Sequence, residues 1–247
     1  MVGYKHYFWI IGILLPLLSF SQKKKKPADY TFLSLPNVVV DGDLTEWEGH
    51  FYRADSKLWQ CALSRDADHL YAAVVIKDPA LQNEAILRGI VLNMSYNHKK
   101  KDGARLIFPL ADRESLRAIR QDEDHDRKNI KQDLLHTTRG YFVRGFTKVR
   151  DGLLSLHNDY GIQAVAKIDS NQYLRYEAVI PLDLIKFKSD EIAVQLLINT
   201  QYHQLQQATK ERTPNYSGMY GIYRPQGPTL RNPYSEETEI WIVDTLK

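Results

Sequence analysis

Three carboxylates, Asp41, Asp43 and Glu46, stand close together in the stretch VVVDGDLTEWEG at 38–49. Clustered carboxylates are the chemistry of calcium, a hard cation that takes about 6 to 8 oxygen ligands. Three local side chains supply at best half of such a shell. The same residues also describe a turn. Asp side chains accept backbone N–H groups, and Gly42 adopts a conformation that is costly for other residues. The expected arrangement is therefore a structural corner, with Trp47 lying back against the fold as an apolar plug. No metal is assigned and no cofactor is expected; Asp41, Asp43 and Glu46 are the residues calcium would use. Asp66 and Asp68 in SRDADH (64–69) repeat the pattern. In QDEDHDRK (121–128), His125 sits among Asp122, Glu123, Asp124 and Asp126. Consecutive residues point in different directions, whereas metal sites draw ligands from separated positions with defined geometry. A solvated charged loop is the expected outcome there.

A second kind of chemistry is suggested further along. The segment ATKERTPNYSGMYGIYRPQGPTLRNPYS (208–235) concentrates proline, glycine and tyrosine. Proline blocks central strand pairing, glycine frees the backbone, and a long irregular segment in a domain is often functional. His203, Arg212, Tyr216, Tyr220, Tyr223 and Arg224, within 202–234, form the candidate ligand-binding set. Flat rings can cover the C–H patches of a sugar while polar side chains bond its hydroxyls. The same tyrosines could equally pack the segment onto a sheet and leave their hydroxyls in water. No catalytic residue is assigned. The sequence has no nucleophile elbow, zinc-protease helix, phosphate loop or paired-cysteine motif. Carboxylate pairs for glycoside cleavage come from distant strands and leave no spacing to read.

Composition narrows the setting. The chain has 247 residues, 26% of them charged, and a single cysteine, Cys61, so no internal disulfide can staple it. Lys5 and His6 precede an apolar stretch, Tyr7 to Phe20, interrupted by Pro16. A short basic start, an apolar run below bilayer-spanning length, and the small residues Ser19 and Ser21 describe a signal peptide over 1–21, cut before Gln22. That predicts export to the periplasm, outer surface or medium, with no membrane span in the mature chain. Removing 1–21 takes away one lysine and no acid, so the formal charge falls from +3 to +2. Near-neutral charge and the lack of a basic face interleaved with aromatics argue against nucleic acid. The run Lys23 to Lys26 belongs to a basic flexible leader over 22–29.

These groups need elements to hold them. From Pro27 onward the dominant period is two. Trp59, Cys61 and Leu63 alternate with Leu58, Gln60 and Ala62. Leu70, Ala72, Val74 and Ile76 share a face. So do Ile162, Ala164, Ala166 and Ile168; Leu174, Tyr176, Ala178 and Ile180, with Arg175 and Glu177 outside; and Ile192, Val194, Leu196 and Ile198. Such alternation marks strands with one wet and one dry face. Runs at 86–93, 104–108, 140–147 and 238–243 are strand-like too. Turn-forming connectors separate them. Residues 111–137 are expected as a partly helical excursion, with Asp112 as an N-cap. Many strands and few helices predict an all-β antiparallel two-sheet sandwich spanning 30–247.

The order of pieces resembles the family 9 carbohydrate-binding-module-like domains of the wider DOMON-like group. The matching pieces are VDGDLTEWEG (40–49), LSRDADHLYAAVVIKD (63–78), YEAVIPLDLI (176–185) and EIWIV (239–243). The resemblance implies an antiparallel β-sandwich and a non-catalytic domain that binds carbohydrate or a cell-envelope glycan. Members that grip sugar ends do so between loop aromatics, and no such pair is assigned here; some relatives bind haem through Met and His, and only Met94 and His98 lie near each other. The alternatives are a structural or protein-interaction module of the envelope, and a glycan-active hydrolase.

Overall fold

The computed structural model describes residues 30–122, 129–212 and 230–246, with the side chains of 210–212 left aside. The period-two runs form two antiparallel sheets. The smaller contains β1 (Trp59–Arg65), β2 (His69–Ile76), β7 (Gln163–Ile168) and β8 (Leu174–Pro181), in the order β1-β2-β8-β7. The larger contains β3 (Ile90–Met94), β4 (Ala104–Phe108), β5 (Gly140–Arg144), β6 (Gly152–Ser155), β9 (Glu191–Ile198) and β10 (Glu239–Thr245), in the order β10-β9-β3-β4-β5-β6. The expected all-β sandwich is what the chain forms.

The alternating apolar positions meet in one core cluster. It contains Trp59, Cys61, Leu63, Leu70, Val74 and Tyr176 from the small sheet, and Leu92, Met94, Leu106, Val194 and Leu196 from the large one. Excluding that apolar area from water is the main term holding the layers together.

The helices are short. α1 (Pro79–Arg88) starts at Asp78, whose Oδ1 accepts the Leu81 N–H at 2.8 Å, has proline in its first turn, and stops at Gly89 with φ +85°. These are standard start and stop signals. The expected strand at 86–93 is therefore split: 86–88 complete the helix and the strand begins at Ile90. α2 (Arg113–Gln121) and α3 (Ile130–His136) occupy the expected excursion, and the Asp112 carboxylate caps Ser115 N–H at 3.0 Å. The strand expected at 140–147 ends at Arg144. α4 (Gln201–Arg212) takes in 208–212, the start of the segment expected to be irregular over 208–235, and with it the first part of the 202–234 binding range. No helix among the described residues is long and apolar enough to cross a membrane. The expected signal peptide (1–21), the basic leader (22–29) and residues 123–128 lie outside the described residues.

A second apolar layer lies on the far side of the small sheet. Leu44 and Trp47 pack there against Ala62 and Ala73, joined by Leu33, Leu35, Val38, Phe51, Tyr71 and Val75. The chain before β1 crosses this face. Before it does so it lies along the edge of β1, where Leu33 N–H bonds Leu63 O at 2.9 Å and Arg65 N–H bonds Leu33 O at 2.9 Å. The small sheet is thus covered on both faces, and Trp47 plugs its outer face rather than the space between the sheets.

Candidate functional site

The Asp-Gly-Asp corner is built around a residue on the opposite side of the sequence. Glu177, on β8, is fully buried. Its Oε2 accepts the N–H groups of Asp41 (3.2 Å) and Gly42 (3.1 Å), and its Oε1 accepts the Trp47 indole N–H at 2.8 Å. Gly42 has φ +77°, and a Cβ there would lie 3.0 Å from Val165 Cγ1. Alternation places Glu177 on the outer, wet face; the crossing segment makes that face dry. The Asp41 carboxylate bonds Asp43 N–H at 2.6 Å, and Glu46 Oε1 bonds Val39 N–H at 3.1 Å. Asp43 Oδ1 faces Arg175 at 3.7 Å. Each of the three carboxylates considered for calcium thus has a turn N–H or a guanidinium as a neighbour of one oxygen. No group of three or more His, Cys, Asp or Glu side chains suited to a metal ion occurs among the described residues.

Of the expected ligand-binding set, His203 is placed on α4, half-buried, with Nδ1 2.9 Å from Thr200 Oγ1. Burial lowers its pKa and the nearby Glu239 carboxylate works against that shift. Arg212 ends α4, and its side chain is outside the described atoms. Tyr216, Tyr220, Tyr223 and Arg224 lie outside the described residues. Trp59 is buried in the inter-sheet core, as its alternation predicts.

The outer face of the large sheet carries chemistry that sequence spacing does not reveal. Residues in register on neighbouring antiparallel strands project to the same face. One such row runs across all the strands: Glu239, Leu197, Val91, Ile107, Phe142 and Leu153. The next row on that face is Trp241, Gln195, Asn93, Arg105 and Arg144. An apolar row thus lies beside a hydrogen-bonding row. Phe142 is 39% exposed and Leu153 67% exposed, so the apolar row is open toward its β6 end.

The polar row is ordered by its own bonds. Gln195 Nε2 donates to Glu239 Oε1 at 2.9 Å, and the Trp241 indole N–H donates to the same oxygen. Asn93 Nδ2 donates to Gln195 Oε1 at 3.1 Å and to Lys101 O at 3.2 Å; Asn93 Oδ1 accepts Gly103 N–H at 2.9 Å. Asn93 therefore fixes both the row and the lysine-bearing loop between β3 and β4. The Glu239 charge also acts on the His203 imidazole of α4. The sequence signal that finds this face is the other half of each alternating pattern: Phe142 with Arg144, Arg105 with Ile107, and Glu239 with Trp241.

A shallow open groove of about 460 Å³ lies at the β6–β7 end of the sandwich, lined by Tyr141, Leu156, His157, Asn158, Ile162 and Val165. The Tyr141 hydroxyl is already bonded to the backbone of Ala164 there.

No family model matches this chain, and neither a curated protein nor a solved structure matches it.

Proposed function

We propose that this chain is an exported, non-catalytic binding domain of the family 9 carbohydrate-binding-module-like kind, and that it takes carbohydrate on the outer face of the large sheet. The observation that carries this reading is the pairing of an apolar row with a hydrogen-bonding row on one face. A sugar ring offers the same duality, with C–H patches beside hydroxyls. Strands stand about 4.8 Å apart, so successive side chains along a row are spaced on the scale of one sugar ring. Phe142 and Ile107 suit the C–H faces, and Gln195, Arg105 and Arg144 suit the hydroxyls.

The non-catalytic part of the reading is supported by where the perturbed groups are used. Glu177 holds a corner, and Cys61 is buried in the core with its thiol pushed up to about 12 by desolvation. A thiol so protonated is a poor nucleophile. A protein-interaction module is the second reading, favoured by the exposure of Leu153 on the edge strand β6.

Affinity electrophoresis of the chain through gels containing soluble polysaccharides tests the proposal. Retardation in at least one gel, lost in Phe142→Ala with the fold intact, is expected. Undiminished retardation of Phe142→Ala would place the site elsewhere. Absence of retardation with capture of a protein partner through Leu153 would favour the second reading.

A further inference from the structure

Arg105 on β4 and Arg144 on β5 stand directly opposite each other in the register of the large sheet. Like charges in that position cost stability rather than add it. Arg105 is ion-paired with Asp102, a residue that remains largely in solvent. Arg144 is exposed and has no ion-pair partner among the described residues. The loops beside them add to the positive charge. Lys99, Lys100 and Lys101 are exposed on the loop that Asn93 holds down. The β5–β6 turn, which carries exposed Arg150, is pinned next to that loop: the Tyr96 hydroxyl donates to Gly145 O at 2.7 Å, and Gly145 N–H donates to Asp151 Oδ1 at 2.7 Å. The acids of these two loops are thus both engaged, Asp102 by Arg105 and Asp151 by the Gly145 backbone.

We infer that the glycan taken by this face is an acidic one, a polysaccharide bearing carboxylate or sulfate groups, with its acid groups on Arg105 and Arg144 and its ring faces on Ile107, Phe142 and Leu153. This rests on the carbohydrate reading above and narrows it. Guanidinium groups pair with carboxylate or sulfate oxygens through parallel, charge-assisted hydrogen bonds. A bound anion also removes the repulsion between the two arginines. The apolar row separates this ligand from a free inorganic anion, which would leave Phe142 and Leu153 uncovered. It also separates it from a lipid surface, for which a flat basic patch alone would suffice.

The test compares binding of the full chain to polygalacturonate and chondroitin sulfate with binding to neutral xyloglucan and dextran, and to vesicles containing phosphatidylserine, at low and high salt. Expected are retention by an acidic polysaccharide, weakening with salt, and a loss of about tenfold in affinity for Arg144→Gln. Arg144→Lys should retain part of the affinity, and neither variant should lower the thermal midpoint, because Arg144 is exposed and faces a like charge. Equal retention by neutral polysaccharides, indifferent to Arg144→Gln, would overturn the acidic class and leave the carbohydrate reading standing. No retention by any polysaccharide would overturn both. Tighter binding to the vesicles than to either acidic polysaccharide would overturn the proposal in favour of a membrane surface.

Discussion

The indole N–H of Trp47 donates to the carboxylate of Glu177 at 2.8 Å, across a sequence separation of 130 residues. The same carboxylate accepts the backbone N–H groups of Asp41 and Gly42. One buried side chain therefore satisfies three donors and fastens the segment before β1 to the outer face of the small sheet. Buried donors without acceptors are costly, and that asymmetry makes the pair easy to test.

Glu177→Ala leaves all three donors unpaired. Unfolding in urea should show a loss of about 3 kcal/mol or more. Trp47→Phe keeps much of the apolar burial but strands one carboxylate oxygen, with an expected loss of about 1 to 2 kcal/mol. A loss for Glu177→Ala within the scatter of a surface substitution would show that the corner does not depend on this carboxylate.

Burial raises the Glu177 pKa, the nearby Glu46 carboxylate adds to the rise, and the three N–H donors oppose it. The net direction is upward. A carboxyl whose folded pKa exceeds its unfolded one binds its proton more tightly when folded. Its contribution to stability therefore falls as pH rises through the interval from the ordinary carboxylate range to the raised value. The stability difference between the native protein and Glu177→Gln, measured by denaturation across that interval, should shrink with rising pH. A difference that grows instead would reverse the sign assigned to this group.

His203 gives the opposite dependence. Its pKa is lowered by burial, with Glu239 partly offsetting the shift. The folded protein holds that proton less tightly than the unfolded chain does. Stability from this residue is complete above the ordinary histidine range and is lost as pH falls through it toward the lowered value. Imidazole resonances followed by NMR should give His203 a midpoint below the ordinary histidine range. A higher midpoint would mean that the Glu239 charge outweighs burial.

Cys61 is fully buried on β1, and desolvation pushes its thiol up to about 12. Labelling by a thiol reagent at neutral pH should be very slow in the native protein and rapid once denaturant exposes the core. Fast native labelling would contradict the packing of Trp59, Cys61 and Leu63 between the sheets.

Much of the scaffold is legible in the sequence because hydrophobic alternation is a local signal. Leu70 to Ile76, Leu174 to Ile180 and Ile192 to Ile198 alternate and point inward as the period predicts. α1 carries its own markers, Asp78, Pro79 and Gly89, yet the apolar residues Ile86, Leu87, Ile90, Val91 and Leu92 imitate one strand across its end. Glu177 is illegible for a different reason. Alternation tells which residues leave the inter-sheet core, not whether another segment covers the far face. The two rows on the large sheet are hidden for a third reason. Phe142 and Ile107 are neighbours only through the register of β4 and β5, and the pairing of β3 with β9 sets Asn93 beside Gln195. Spacing along the chain encodes neither. Of the residues expected to bind ligand, the described structure places the side chain of His203 alone, on α4 against Thr200.

Hydroxyl-radical footprinting of the full chain with and without a retained acidic polysaccharide tests the proposed binding face most directly. Protection should fall on Phe142, Leu153 and Trp241, while buried Trp47 and Trp59 stay unlabelled in both states. Protection confined to Leu156 and His157 at the groove beside β7, with Phe142 and Trp241 oxidised as before, would contradict it.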